Sequence, residues 1–100
     1  MAAETQLNEE TITRLREPHK YSVIMHNDDF TTMEFVVEIL EDIFKKSSEE
    51  AEILMLAVHR GGKAVVGTYP YDIAASKVNA ALMRAKAAGF PFKVTMEEIR

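Results

Sequence analysis

The spacing of apolar residues divides most of the chain into alternating types of element. The first segment, Tyr21–Met25, is rich in residues that favour strands, and it ends at a cluster of turn formers in residues 26–29. From Thr32 to about Lys46 apolar residues recur every three or four positions, which predicts an amphipathic helix. Thr31 as N-cap and Glu34 three residues later fit a capping box at its start.

The rest of the pattern predicts two more helices and two more strands. A second capping box opens a helix from Ser48 to about His59, which a pair of glycines ends. Residues 63–69 are rich in β-branched side chains and indicate a strand, and residues 90–96 indicate the last strand. Between these strands lies a helix that begins near Pro70 and ends at Gly89.

The resulting order of elements is β-α-α-β-α-β. Three strands and three helices in 100 residues predict a small α/β domain of the α+β type, in which a three-stranded sheet is packed on one side by three helices. We expect residues 19–100 to form this domain. Residues 1–18 are polar and charged, with too few apolar residues to bury a core, so we expect a flexible N-terminal tail.

Composition narrows the classes of function. The chain has no cysteine, which removes disulfides, thiolate metal sites and thiol catalysis. The formal net charge is −4, and the absence of a basic excess argues against a nucleic acid partner. No signal peptide and no membrane-length apolar run is evident, so we expect a cytoplasmic protein without a membrane partner.

The most polar stretch, residues 26–29, lies between two apolar elements. Its carboxylates would suit the N-terminus of the following helix, where anions are favoured. Because Thr31 already supplies the predicted cap, the aspartates are surplus to that role and could hold a metal ion or an ammonium group. His59 suits the dipole at the end of its helix, and it would join Asn27 and Asp29 in one polar site if the loop and that helix end converge.

Catalytic and metal chemistry find little support in the motifs. A metal site would use His26, Asp28, Asp29 and His59, but these residues lack the spacing of known ligand sets. No nucleophile elbow, phosphate loop or HExxH motif is present, so we expect neither an enzyme nor a cofactor.

Met33 would normally be a core residue, but it follows the acidic loop directly, and a flexible thioether suits an adaptable pocket wall.

Four blocks of sequence, in one order, carry a resemblance to a known family. They are Asn27-Asp-Asp-Phe-Thr-Thr-Met-Glu-Phe-Val36, Leu54-Met-Leu-Ala-Val-His59, Gly62-Lys-Ala-Val-Val-Gly67, and Ile73-Ala74 with Lys77-Val78. From Tyr21 to about Glu97 the chain resembles the ClpS family, adaptors that deliver proteins with destabilising N-terminal residues to a Clp-type AAA+ protease. The chain departs from the family at Thr32, commonly a proline, and at Phe92, commonly a leucine-like residue.

The resemblance implies a role for particular residues. The substrate's free α-amino group would be held by Asn27, Asp28, Asp29 and His59. A hydrophobic pocket for its first side chain, aromatic or leucine, would be lined by Thr31, Met33, Val36, Met55, Val58 and Phe92. The N-terminal domain of a ClpA-like unfoldase would contact Asp72 and Lys77, and the tail would engage the unfoldase during delivery.

Two other classes of function remain open at this point. A translation-associated interaction module would need an exposed partner-binding helix and would have no use for Asn27 and Asp29. A metal-dependent hydrolase would need divalent metal binding.

Overall fold

The computed structural model describes residues 19–100, and the predicted tail, residues 1–18, lies outside them. The elements are strand β1 (Lys20–His26), helix α1 (Met33–Asp42), helix α2 (Ser48–Gly61), strand β2 (Lys63–Pro70), helix α3 (Tyr71–Ala88) and strand β3 (Lys93–Glu98). This order confirms the predicted β-α-α-β-α-β arrangement. Within the described part of the chain, no helix is both long and apolar enough to cross a membrane.

The three strands form one antiparallel sheet in the order β2-β1-β3. β1 is central, and its last residue, His26, is paired with Lys63 of β2 on one side and Lys93 of β3 on the other. The register between β1 and β2 shifts between Val23 and Ile24. This pairing places the end of β1 beside the start of β2, and therefore beside the end of α2.

The core lies on the face of the sheet that the helices cover. Val23 and Met25 are fully buried in one cluster with apolar residues of all three helices, whereas Ile24 between them is buried outside this cluster. Successive residues of a strand point to opposite faces, so this alternation shows which face of β1 meets the helices. α3 packs across all three strands, while α2 packs on β2 and α1 packs on α2.

The ends of α1 differ from the prediction. Its N-cap is Thr32, whose hydroxyl accepts a hydrogen bond from the Phe35 backbone N–H, so the prediction of Thr31 as N-cap is wrong by one residue. The helix ends at Asp42 and not near Lys46, because Lys45 adopts a left-handed backbone conformation with φ of 57°. The second capping box is confirmed. The Ser47 hydroxyl accepts a hydrogen bond from the Glu50 backbone N–H, and the Glu50 carboxylate accepts one from the Ser47 backbone N–H.

Glycines end the other two helices, as predicted. Gly62 follows α2 with φ of 88°, and Gly89 follows α3 with φ of 80° in the left-handed region. β3 begins at Lys93, three residues later than predicted. The Phe90 backbone N–H closes the end of α3 by donating to the Ala85 carbonyl, and Pro91 has no N–H to give to a ladder.

Candidate functional site

A backbone hydrogen bond joins the two segments that carry the polar candidates. The Asn27 N–H donates to the Gly62 carbonyl oxygen at 2.8 Å, which fastens the first residue after β1 to the residue that ends α2. His59 lies in the last turn of that helix. The convergence of loop and helix end, which the sequence left conditional, is therefore present in the fold.

Asp28 organises the loop between β1 and α1. One carboxylate oxygen accepts from the backbone N–H groups of Phe30 at 2.8 Å and Thr31 at 2.7 Å, and the other accepts from the Thr31 hydroxyl at 2.7 Å. Burial works against ionisation of Asp28, but these three hydrogen bonds outweigh it and lower the pKa of the carboxyl. The view that both aspartates are surplus is therefore wrong for Asp28, which shapes the loop.

A cavity of about 410 Å³ opens between this loop, the start of α1 and the last turns of α2. We name the polar side chains from the loop and the helix end the polar wall of this cavity, and the apolar side chains from α1 and α2 its apolar wall. The lining residues are Asn27, Asp28, Asp29, Phe30, Thr31, Thr32, Met33, Glu34, Val36, Met55, Val58 and His59. One cavity thus presents hydrogen-bond acceptors and an apolar surface together.

The structure gathers nearly all of the predicted site residues at this cavity. All four residues expected near an α-amino group line it, as do Thr31, Met33, Val36, Met55 and Val58. Phe92 does not: its side chain is only 5% exposed, and its ring packs edge-on against Phe35 with centroids 6.1 Å apart. Phe92 is therefore a core residue in this structure, and the apolar wall is built without it.

Three lining residues were missed by sequence reasoning: Phe30, Thr32 and Glu34. Phe30 is 74% exposed although it is a large aromatic residue. Its backbone N–H donates to the Asp28 carboxylate, which holds the residue in the loop outside the core. All three lie in the uninterrupted stretch 27–34. The sequence could have indicated these three residues, because the residues of a short loop that leads directly into a helix lie close to the same cavity.

His26 is directed away from the cavity. Its Nε2 lies 2.8 Å from the Thr95 hydroxyl on β3, and it does not line the cavity. Burial, followed by the charges of Lys93 and Lys63, lowers the pKa of this histidine. Among residues 19–100 no group of three or more histidine or acidic side chains is placed to hold a metal ion.

The two residues expected to contact an unfoldase lie on α3, away from the cavity. Asp72 is exposed in the first turn of that helix. Lys77 is half-buried, and its Nζ donates to the Ile43 carbonyl at 2.6 Å, so its charge serves a contact within the fold.

Comparison with known proteins agrees with this arrangement. Residues 16–95 match the family model described as ATP-dependent Clp protease adaptor protein ClpS. A ClpS adapter protein of Wolinella succinogenes is 46% identical over 95 residues, covering 95% of this chain and 91% of that protein. One from Desulforapulum autotrophicum is 51% identical over 81 residues, covering 81% of this chain and 78% of that protein.

A solved structure shares both the fold and the sequence pattern. Agrobacterium tumefaciens ClpS2, bound to L-phenylalaninamide, superposes with a TM-score of 0.80 at 38% identity, covering 83% of this chain and 100% of that chain. The family model spans most of the chain, including every residue that lines the cavity. The chain belongs to the ClpS family, the adaptor proteins of the ATP-dependent Clp protease.

Proposed function

We propose that this adaptor binds proteins with a destabilising N-terminal residue, namely Phe, Tyr, Trp or Leu, and delivers them to a ClpA-like AAA+ unfoldase. The cavity would bind the free α-amino group and the first side chain at the same time. The observation that carries the proposal is the pairing of one polar wall and one apolar wall in a single opening of about 410 Å³.

The polar wall has the acceptors that an ammonium group requires. The Asp29 carboxylate, Asn27 Oδ1 and an unprotonated ring nitrogen of His59 can each accept one of its three N–H donors. Asp28 contributes through the shape of the loop, because its oxygens already accept three hydrogen bonds. Charge-assisted hydrogen bonds of this kind are shorter and stronger than neutral ones.

The apolar wall supplies the rest of the binding free energy. Met33, Val36, Met55 and Val58 line it. Burying one large apolar side chain there contributes roughly 1.5–3 kcal/mol. Micromolar affinity requires about 8 kcal/mol, which neither wall provides alone. The site would therefore select a chain that offers a free amine and a bulky apolar first residue together.

The comparison supports the same ligand chemistry. The Agrobacterium relative is bound to L-phenylalaninamide, a molecule that carries a free α-amino group and a benzyl side chain. These are the two groups that the two walls fit, and the relative shares the fold at a TM-score of 0.80.

Binding is tested with a fluorescent peptide that begins with Phe, titrated with the full chain and followed by anisotropy. We expect N-acetylation of the peptide and the variant Asp29→Ala each to remove most of the affinity, because the buried ammonium or its anionic partner is then missing. Asp72→Ala, an equal change of charge outside the cavity, should bind like the parent. Equal binding of the acetylated and free peptides would refute the proposal.

Delivery is tested separately, by degradation of a Phe-initiated substrate by the cognate protease. Deleting residues 1–17 removes no lining residue of the cavity, so peptide affinity should change by less than about 1 kcal/mol. Degradation should nevertheless fail, and Asp72→Lys should impair it for lack of the unfoldase contact. Full-rate delivery by both variants would show that neither the segment nor Asp72 serves the hand-over.

A further inference from the structure

The thioether of Met33 is accessible to solvent although it belongs to the apolar wall of the cavity. Among the methionines of residues 19–100, Met33 is 46% exposed, and Met83, on α3 and outside the cavity, is 63% exposed. Met55 and Met96 are half-buried, and Met25 is fully buried in the core. Within this part of the chain, Met33 is therefore the exposed thioether that lines the proposed binding cavity.

Exposure matters because a peroxide oxidises a methionine thioether to a sulfoxide. The side chain changes from apolar and flexible to polar and chiral, and enzymes that reduce methionine sulfoxide reverse the change. Cysteine thiolates are the other common target of such oxidants, and this chain has no cysteine. Oxidation by a peroxide therefore falls on its accessible methionines.

The surroundings of Met33 are unfavourable for a sulfoxide oxygen once a ligand covers it. Besides the cavity of about 410 Å³, Met33 lines a smaller cavity of about 280 Å³ between α1 and α2, together with Glu34, Val37, Glu52 and Met55. The polar side chains of this smaller cavity are carboxylates, which accept hydrogen bonds when ionised and so give a sulfoxide oxygen no donor. Toward the larger cavity the oxygen would face the apolar first side chain of a bound substrate. In both directions a polar atom loses water without gaining a partner, which is costly.

We propose that Met33 is an oxidation site and that its conversion to the sulfoxide by a peroxide weakens the capture of N-termini. The inference rests on the proposed binding of a free N-terminus in the larger cavity. The sulfur lone pair attacks one oxygen of hydrogen peroxide, the O–O bond breaks and an S–O bond forms. The departing hydroxide takes the proton of the transferred oxygen and leaves as water, so sulfur loses two electrons and the peroxide gains them.

The test begins with the full chain, treated with hydrogen peroxide at a dose that leaves the buried Met25 unmodified. Mass spectrometry of proteolytic fragments measures the oxidation of each methionine, and anisotropy titration with a Phe-initiated peptide free of methionine measures affinity. We expect oxidation of Met33 to weaken binding roughly five- to fiftyfold, because a polar group is then buried without a partner. Methionine sulfoxide reductases A and B with dithiothreitol, one enzyme for each epimer, should restore the affinity.

Two matched variants assign the effect to one sulfur, each compared with itself before and after peroxide. Met33→Leu has no thioether at the cavity, so its affinity should not respond to peroxide. Met83→Leu removes the other exposed thioether and should lose affinity on oxidation as the parent does. Equal losses in Met33→Leu and the parent would refute the proposal, as would unchanged binding by parent protein that is oxidised at Met33.

Protection by a bound peptide gives a second readout, the rate of oxidation. A saturating Phe-initiated peptide covers Met33 but not Met83, so it should slow oxidation of Met33 about threefold or more and leave the rate at Met83 unchanged. Equal rates at Met33 with and without bound peptide would refute its place under the ligand. An untreated chain that binds no free-amine peptide would refute the proposed function itself, whereas binding that peroxide leaves intact would refute the oxidation site alone.

Discussion

Asp28 and Asp29 are neighbours in the sequence, yet their carboxylates have different surroundings. The Asp28 carboxylate is saturated with hydrogen bonds from Phe30 and Thr31 inside its own loop. Asp29 is exposed at the cavity wall. We therefore expect loss of Asp28 to be detected in stability, and loss of Asp29 to be detected in ligand affinity.

The lowered pKa of Asp28 gives this expectation a pH dependence. Because the folded-state pKa lies below that of the unfolded chain, Asp28 stabilises the fold above about pH 4, and this contribution is lost as the pH falls through the lowered pKa. Asp28→Ala should reduce the free energy of unfolding by about 1–2 kcal/mol at pH 7, and the gap from the parent should narrow toward pH 3. Urea unfolding at both pH values measures it, with Asp29→Ala as the control. A gap of equal size at both would contradict the assignment.

Met33 is the residue on which selectivity for the first side chain is expected to depend. It is 46% exposed in the first turn of α1, and it lines the cavity beside the polar loop. A residue there would pack near the β-carbon of the bound side chain. Val and Ile carry two heavy substituents on that carbon and have stiff χ1 torsions, whereas Leu and Phe branch one atom further out.

Met33→Ala should therefore admit peptides that begin with Ile or Val while losing little affinity for Phe or Leu. An apolar pocket discriminates by only about 1–3 kcal/mol per methylene, so strong exclusion requires a steric obstacle of this kind. Anisotropy titrations of the four peptides against both proteins measure the effect. If the variant excludes Ile and Val as firmly as the parent, Met33 does not act as the obstacle.

At the scale of elements, the junction of α2 and β2 holds the site together. Gly62 ends α2 at a φ of 88°, and its carbonyl accepts the hydrogen bond from the Asn27 N–H. The next residue already pairs with His26 in the sheet. Gly62 alone thus separates α2, which carries His59, from β2, which pairs with the strand that leads into the polar loop. The backbone conformation of Gly62 therefore sets the position of His59 relative to that loop.

This junction predicts opposite effects for two adjacent glycines. Gly62→Ala should destabilise the fold by about 1–2 kcal/mol, because a side chain is strained at positive φ, and it should also weaken peptide binding by disturbing the bond to Asn27. Gly61→Ala should be neutral or stabilising by up to about 1 kcal/mol, since Gly61 is helical and has room for a methyl group. Urea unfolding and peptide titration of both variants test this. Equal losses in the two would show that the φ of Gly62 is not the cause.

Across the whole molecule, Lys77 connects three elements that are far apart in sequence. From α3 its Nζ donates to the Ile43 carbonyl at the end of α1, at 2.6 Å. The same ammonium lies 5.7 Å from the ring centroid of Phe44 and 5.3 Å from that of Tyr69 on β2. It satisfies a carbonyl that the end of α1 leaves without a helical partner, and it interacts with both aromatic faces.

Lys77→Met keeps the length and the apolar stem but removes the charge and the donor. We expect it to lower the free energy of unfolding by roughly 1–3 kcal/mol, whereas Lys86→Met, at an exposed site in the last turn of α3, should change it by less than about 0.5 kcal/mol. Urea denaturation at neutral pH compares the two variants. Equally small losses of unfolding free energy in the two variants would show that Lys77 contributes little to the fold and is available to a partner. A large loss for Lys77→Met alone would make Asp72 the better position at which to test the unfoldase contact.

Local chemistry determined the elements, because each depends on residues close together in the chain. The 3.6-residue periodicity of α1, the reciprocal cap of Ser47 and Glu50, and the glycines after α2 and α3 are all local signals, and they predicted the observed order of elements. The wrong N-cap prediction for α1 was also local, and it arises because two residues compete for the same role. Two adjacent threonines could each cap α1, and Asp28 engages the first of them, which leaves the cap to Thr32.

The tertiary structure decided which of these residues share an environment. Antiparallel pairing of β1 with β2 brings residues 27 and 59 to one opening across 32 positions of chain, a convergence that the sequence pattern could state only as a condition. Packing against Phe35 assigned Phe92 to the core, and the packing of α1 on α2 brought Met33 and Met55 to one cavity. Such placements follow from how whole elements bury their apolar faces against one another, so no local pattern specifies them.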